Sequence, residues 1–180
     1  MALQFRDHKI LQTQAKVDLF TIVFSASEGA AEGELIGQLV ADMLQQTAAK
    51  DLSGFVAVEG DVLAGGVLFS RFKLPVNKTA FILSPMAIAT DQQGKGLGQA
   101  LINHGLVALK AQGVEVLLTY GDPNYYQKVG FEVISQDFIE APQPLSYPDG
   151  WLAQSLTDQP LLPMPGKTRC VDALNRPEFW

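Results

Sequence analysis

QGKGLGQAL, residues 93–101, sets glycine at 94, 96 and 98 directly ahead of a run with helical periodicity. A glycine-rich turn that feeds a helix leaves backbone N–H groups unpaired at the positive end of the helix dipole, which favours an anion such as phosphate. Two phosphate templates can be set against it. The nucleotide loop G-x-x-x-x-G-K-[ST] needs a hydroxyl after its lysine, and Lys95 is followed by Gly96. The dinucleotide fingerprint G-x-G-x-x-G follows the first strand of a parallel sheet, whereas here the spacing is G-x-G-x-G and several strand-like segments come first. Neither fits. On the glycines alone, an anion cradle and a plain strand-to-helix turn are both open.

Downstream of the loop, Leu97, Leu101, Gly105, Ala108 and Leu109 share one helical face, and Gly113 stops the helix. VEVLLTY (114–120) then reads as a buried strand, so strand, loop, helix and strand predict a βαβ unit with a parallel pair. Upstream, GFVAVEGDVLAGGVLFSRF (54–72) and TAFILSPMAIAT (79–90) predict an antiparallel meander with strands near 54–59, 62–72 and 79–89, turning at Glu59-Gly60-Asp61. Val17, Phe20, Thr21 and Phe24 recur at helical spacing, as do Leu35, Ile36, Leu39, Val40, Met43 and Leu44; SEGAAEGE (27–34) separates the two helices. Asp122 and Pro123 suit the cap and first position of a short helix, and GFEVIS (130–135) suits a short strand. From about Asp137 the proline density argues against long regular elements, with TRCVDAL (168–174) expected to return as an edge strand.

The length of 180 residues suits a single domain, read as a core over about 1–135 with a loop-rich extension, 136–180, packed on it. With 47% hydrophobic and 18% charged residues the chain should fold. A net charge of −6 and a pI near 4.8 lack the basic stripe that nucleic acid or an anionic membrane requires, so neither is expected as a partner. Cys170 is the single cysteine, and His8 and His104 are the two histidines, so no metal site is expected. The N-terminal MALQFRDHKILQTQ has no signal-like apolar run, which makes a cytoplasmic protein the expectation.

LSPMAIATDQQGKGLGQALI (83–102) resembles the acetyl-CoA-binding motif of the GNAT acetyltransferase superfamily, in which a strand of type L-x-P-x-A-V precedes Q/R-x-x-G-x-G/A and a helix. Gln93, Gly96 and Gly98 match the three loop positions. YYQKVGF (125–131) resembles the second motif of the family, with Tyr126, Gly130 and Phe131 matching, and GDPNYYQKVGF is similar to a bacterial subgroup of predicted acetyltransferases. One position departs: many members have asparagine seven residues before the tyrosine, and here it is Thr119. The resemblance implies an α+β, three-layer fold with a mixed, mostly antiparallel central sheet, a splayed parallel strand pair and helices on both faces.

It also implies acetyl-CoA as co-substrate, with no metal. The backbone of Met86, Ala87 and Ile88 would pair with the pantetheine arm, an N–H near Ile88 would polarise the thioester, and the backbone of Gln93, Gly94, Lys95, Gly96, Leu97 and Gly98 would wrap the pyrophosphate. Lys95 either adds charge near a phosphate or stays solvated. Tyr126 is the implied general acid for the departing thiolate, against a packing role beside the cofactor. No carboxylate stands out as general base: Glu59 and Asp61 sit at a turn, and Asp122 suits a helix cap. The expected activity is acetyl transfer to a primary amine of a small-molecule or peptide acceptor by direct attack in a ternary complex. A non-catalytic acyl-CoA-binding or sensing module is the alternative. The segment after Asp137 is expected to wall the acceptor pocket, with a homodimer interface or simple packing as its rivals.

Overall fold

The computed structural model describes residues 2–180. Its strands form a seven-stranded sheet in the order β1-β2-β3-β4-β5-β7-β6, from β1 (Leu3–Asp7), β2 (Leu52–Glu59), β3 (Val62–Lys73), β4 (Thr79–Ile88), β5 (Val116–Tyr120), β6 (Glu132–Val133) and β7 (Trp151–Ser155). The helices are α1 (Thr13–Glu28), α2 (Ala30–Gln46), α3 (Leu97–Ala111) and the short α4 (Pro123–Tyr126). β4 and β5 run parallel, whereas β1/β2, β5/β7 and β6/β7 are antiparallel. The mixed sheet is therefore the one the meander and the βαβ unit predict. Two compact units divide the chain, one holding it up to Phe69 together with Pro85–Gly105, the other holding Ser70–Ser84 with Leu106–Trp180.

In the first unit the α1–α2 hairpin breaks at Gly29, whose φ of 100° a residue with a side chain rarely adopts. Helix α2 then crosses α1 on glycines. A Cβ on Gly33 would collide with Ser25, and one on Gly37 with Thr21, so two glycines one turn apart admit the α1 backbone. Leu19, Phe20 and Val23 of α1 and Ile36, Leu39, Val40 and Met43 of α2 are buried. Gly66 of β3 receives the Phe20 ring, 3.2 Å from where its own Cβ would lie.

β1 was not expected. Its residues alternate only weakly, and it is an exposed edge strand paired to β2 on one side. The turn after it buries His8 beside Lys16, whose Nζ donates to His8 Nδ1 at 3.2 Å and to the His8 carbonyl at 2.8 Å. Because the ammonium donates to Nδ1, that nitrogen is the acceptor and the ring is neutral. Burial first, and the Lys16 cation second, lower the His8 pKa from 6.5 to about 4, with Asp7 opposing and Lys9 adding slightly. The unfolded chain therefore binds the proton more tightly. The stability held by neutral His8 is complete above pH 6.5 and is lost as pH falls from 6.5 toward 4, at most about 2 kcal/mol between pH 7 and pH 5. Urea denaturation at those two pH values should show that loss in the wild type and a flatter response in His8→Gln.

The second unit is organised around Trp151, which is fully buried. Its indole N–H donates to the Ile139 carbonyl at 2.8 Å, and its ring lies 6.0 Å from Phe72 and 5.9 Å from Trp180. Trp180 in turn stacks on Tyr120 and donates to the Leu174 carbonyl. The proline-rich segment thus conceals β7, a strand lying between β5 and β6. TRCVDAL, expected as an edge strand, makes one antiparallel bridge, Lys73 to Arg169, before the 3-10 turn Asp172–Leu174. Arg169 exchanges both backbone hydrogen bonds with Lys73, and the 3-10 turn that begins at Asp172 ends the extended run before a ladder can form. Trp151 is a core residue here, so truncating it would open a cavity in the core.

Candidate functional site

Strand β4 enters the site with a change of partner. Its ladder with β5 runs from Ala80↔Val116 to Leu83↔Thr119 and stops there, while β4 continues to Ile88. Thr119, fully buried, spends its hydroxyl on the Leu83 carbonyl at 3.1 Å, closing the last rung. Beyond it, Ala89 N–H donates to the Ala64 carbonyl on the β3 side at 2.9 Å. Peptide groups of adjacent strand residues point to opposite sides, so the N–H and C=O of Ile88 face away from Ala64. Ala87 and Ile88 are buried, and Met86 is half-buried.

A 3-10 turn, Thr90–Gln92, then reverses the chain, with Gln92 N–H on the Ala89 carbonyl at 2.8 Å. Gln93 follows in extended conformation, and its side-chain amide donates back to the Ile88 carbonyl at 2.9 Å. Gly94 and Gly96 have φ of 75° and 79°, the left-handed region, and a Cβ built on either meets no atom within 4 Å. Packing does not require these glycines; the backbone conformation does. The α3 ladder begins with Ala100 N–H on the Gly96 carbonyl at 3.1 Å, so the N–H groups of Leu97, Gly98 and Gln99 fall in the first helical turn, which has no intrahelical acceptors. Leu97 and Gly98 are buried, whereas Gln93, Gly94, Lys95 and Gly96 are exposed. Among the described residues no group of three or more His, Cys, Asp or Glu is placed to hold a metal, and no helix is long and apolar enough to cross a membrane.

Tyr126 belongs to the second unit. Asp122 caps α4 by accepting from Asn124 N–H at 2.9 Å, and Pro123 occupies the first turn, as the sequence suggests. That short helix presents Tyr126 between Tyr125 and Phe131, both edge-on, with ring centroids 5.2 and 5.8 Å away. Burial, and then the Tyr125 phenol, push the Tyr126 pKa up to about 12; the Thr119 hydroxyl acts in the opposite direction. The phenol keeps its proton throughout the neutral range. Gly121 was not singled out from the sequence, yet a Cβ there would meet the Tyr126 ring at 2.7 Å. Gly121→Ala should therefore displace the phenol. If Tyr126 handles a proton, turnover in that variant falls about tenfold or more with thermal stability little changed; an unchanged rate would mean that the phenol position is immaterial.

Residues 50–133 match the family model of the acetyltransferase (GNAT) domain. Over 140 residues the chain is 33% identical to the uncharacterized N-acetyltransferase YjhQ of Escherichia coli (strain K12), covering 74% of this chain and 77% of that protein. The chain belongs to the GNAT acetyltransferase family. YhbS of the same strain, also an uncharacterized N-acetyltransferase, is 34% identical over 83 residues, 44% of this chain and 49% of its own length. Among solved structures, E. coli YhbS in complex with CoA superposes on this GNAT chain with a TM-score of 0.76 at 22% identity, covering 97% of this chain and 92% of that one. A GNAT acetyltransferase from Brucella melitensis in complex with acetyl-CoA gives 0.75 at 21% identity, covering 96% and 98%. At that identity the two superpositions speak for the fold.

Proposed function

We propose that this GNAT protein binds acetyl-CoA through the β4 edge and the glycine loop and transfers the acetyl group to a primary amine by direct attack in a ternary complex. The observation that carries the reading is the loop: two glycines held at positive φ, with open space where side chains would project, lead directly into the first turn of α3. Backbone N–H groups in that turn suit a diphosphate, and glycine lets it approach the chain. The Ile88 peptide group, turned away from Ala64, suits an amide of a pantetheine arm lying alongside β4 as an added strand. That CoA and acetyl-CoA occupy the two related structures supports this choice of donor.

In the reaction the amine nitrogen forms a bond to the thioester carbon and the carbon–sulfur bond breaks. One amine proton leaves to solvent, Tyr126 delivers its own proton to the departing sulfur, and the phenolate regains a proton from solvent, so that the free thiol and the amide are the net products. Asp122 is engaged as a helix cap and is not given the role of base. The acceptor is a small-molecule or peptide amine, and the acidic surface, with its net charge of −6, favours a cationic one. Isothermal titration with acetyl-CoA tests the donor half of the reading. A saturable one-site isotherm is expected, and absence of binding at millimolar donor would overturn it.

A further inference from the structure

The Gln93 side chain has a contact that a diphosphate-wrapping loop does not itself require. Its amide N–H reaches back to the Ile88 carbonyl at 2.9 Å. This works because the turn between them is tight: Gln92 N–H closes on Ala89 O at 2.8 Å and Gln93 N–H on Thr90 O at 3.4 Å, returning the chain to the strand it has just left. Glutamine suits the position on two counts. It carries a donor, which glutamate lacks, and it is one methylene longer than asparagine. The Ile88 carbonyl has two lone pairs, so Gln93 takes one and leaves the other on the strand edge. One peptide group is thereby both the end of the β4 edge and the anchor of the glycine loop.

We propose that the Gln93 side chain is a clasp that fixes the spacing between the β4 edge at Ile88 and the glycine loop at Gly94–Gly98, so that one donor engages both with its arm and its diphosphate. The proposal rests on the acetyl-CoA reading above. Gln93 is then a positioning residue: it touches protein, and the donor gains because two half-sites are held at the right separation before it arrives. A loosened clasp leaves each half-site intact and weakens only the ligand that spans them.

The test uses the full chain, wild type and Gln93→Met, titrated with three probes: acetyl-CoA, acetyl-pantetheine as the arm alone, and ADP as the diphosphate alone. Loss of one hydrogen bond predicts affinity for acetyl-CoA about fivefold weaker in Gln93→Met, with both shorter probes binding as in the wild type. Unchanged acetyl-CoA affinity overturns the proposal. An equal loss for ADP also overturns it, since the loop itself would then have collapsed. If none of the probes binds the wild type, the donor reading has failed instead, and amide hydrogen exchange across residues 93–98 decides the clasp separately. Faster exchange in Gln93→Met supports the clasp, and equal exchange overturns it.

Discussion

Tyr126→Phe should turn over about a hundredfold more slowly than the wild type while binding acetyl-CoA with the same affinity. The variant is chosen because the structure separates the ring from the proton. Phe131 and Tyr125 meet the ring edge-on, and Gly121 gives it room, none of which depends on the hydroxyl. Phenylalanine keeps those contacts, so the fold and the donor site should be undisturbed. What disappears is a neutral acid whose pKa, at about 12, keeps it protonated at any working pH. Thiolate departure then has to draw its proton from water, and the loss belongs in kcat. A wild-type kcat in this variant would return Tyr126 to a packing role.

The second large effect is expected at the loop. Gly96→Val places a β-branched side chain at a φ of 79°, where backbone strain costs about 1–3 kcal/mol, and the loop escapes by rearranging. Nothing within 4 Å of the new Cβ would be displaced, so the damage is to loop conformation and to the approach of a ligand, with the core untouched. Acetyl-CoA affinity should fall at least tenfold, and about a hundredfold if the valine also blocks the diphosphate. The thermal midpoint should move by only a few degrees. Retained affinity in a folded Gly96→Val protein would remove the loop from the donor site.

Some of this was legible because it is local. A G-x-G-x-G run followed by a helical face defines a turn whose dihedrals only glycine tolerates, and Gly94 and Gly96 adopt them. The meander strands were readable as β-rich segments around the turn Glu59-Gly60-Asp61, whereas the helix break, expected across 27–34, is confined to Gly29, with residues 30–34 already in α2. What escaped was settled by partners distant in the chain. β7 is five residues in a proline-rich setting, and its position between β5 and β6 follows from pairing with residues 116–120 and 132–133. β1 pairs with β2 on one side only, so most of its residues are exposed and its pattern reads as polar. Gly121 looks like any turn glycine until the Tyr126 ring is seen against it. The Gln93 contact was hidden differently: the motif marks the residue, while its side chain turns toward the strand behind it.

The central claim is acetyl transfer to an amine, and one measurement meets it directly: acetyl-CoA incubated with the purified chain and a panel of primary amines, small molecules and lysine-containing peptides, recording both thiol release and the mass of each amine. The account predicts that at least one amine gains an acetyl group in step with released CoA, at a rate that falls in Tyr126→Phe. Saturable acetyl-CoA binding with no thiol released beyond the protein-free control, whichever amine is offered, would contradict it and leave an acyl-CoA-binding module in its place.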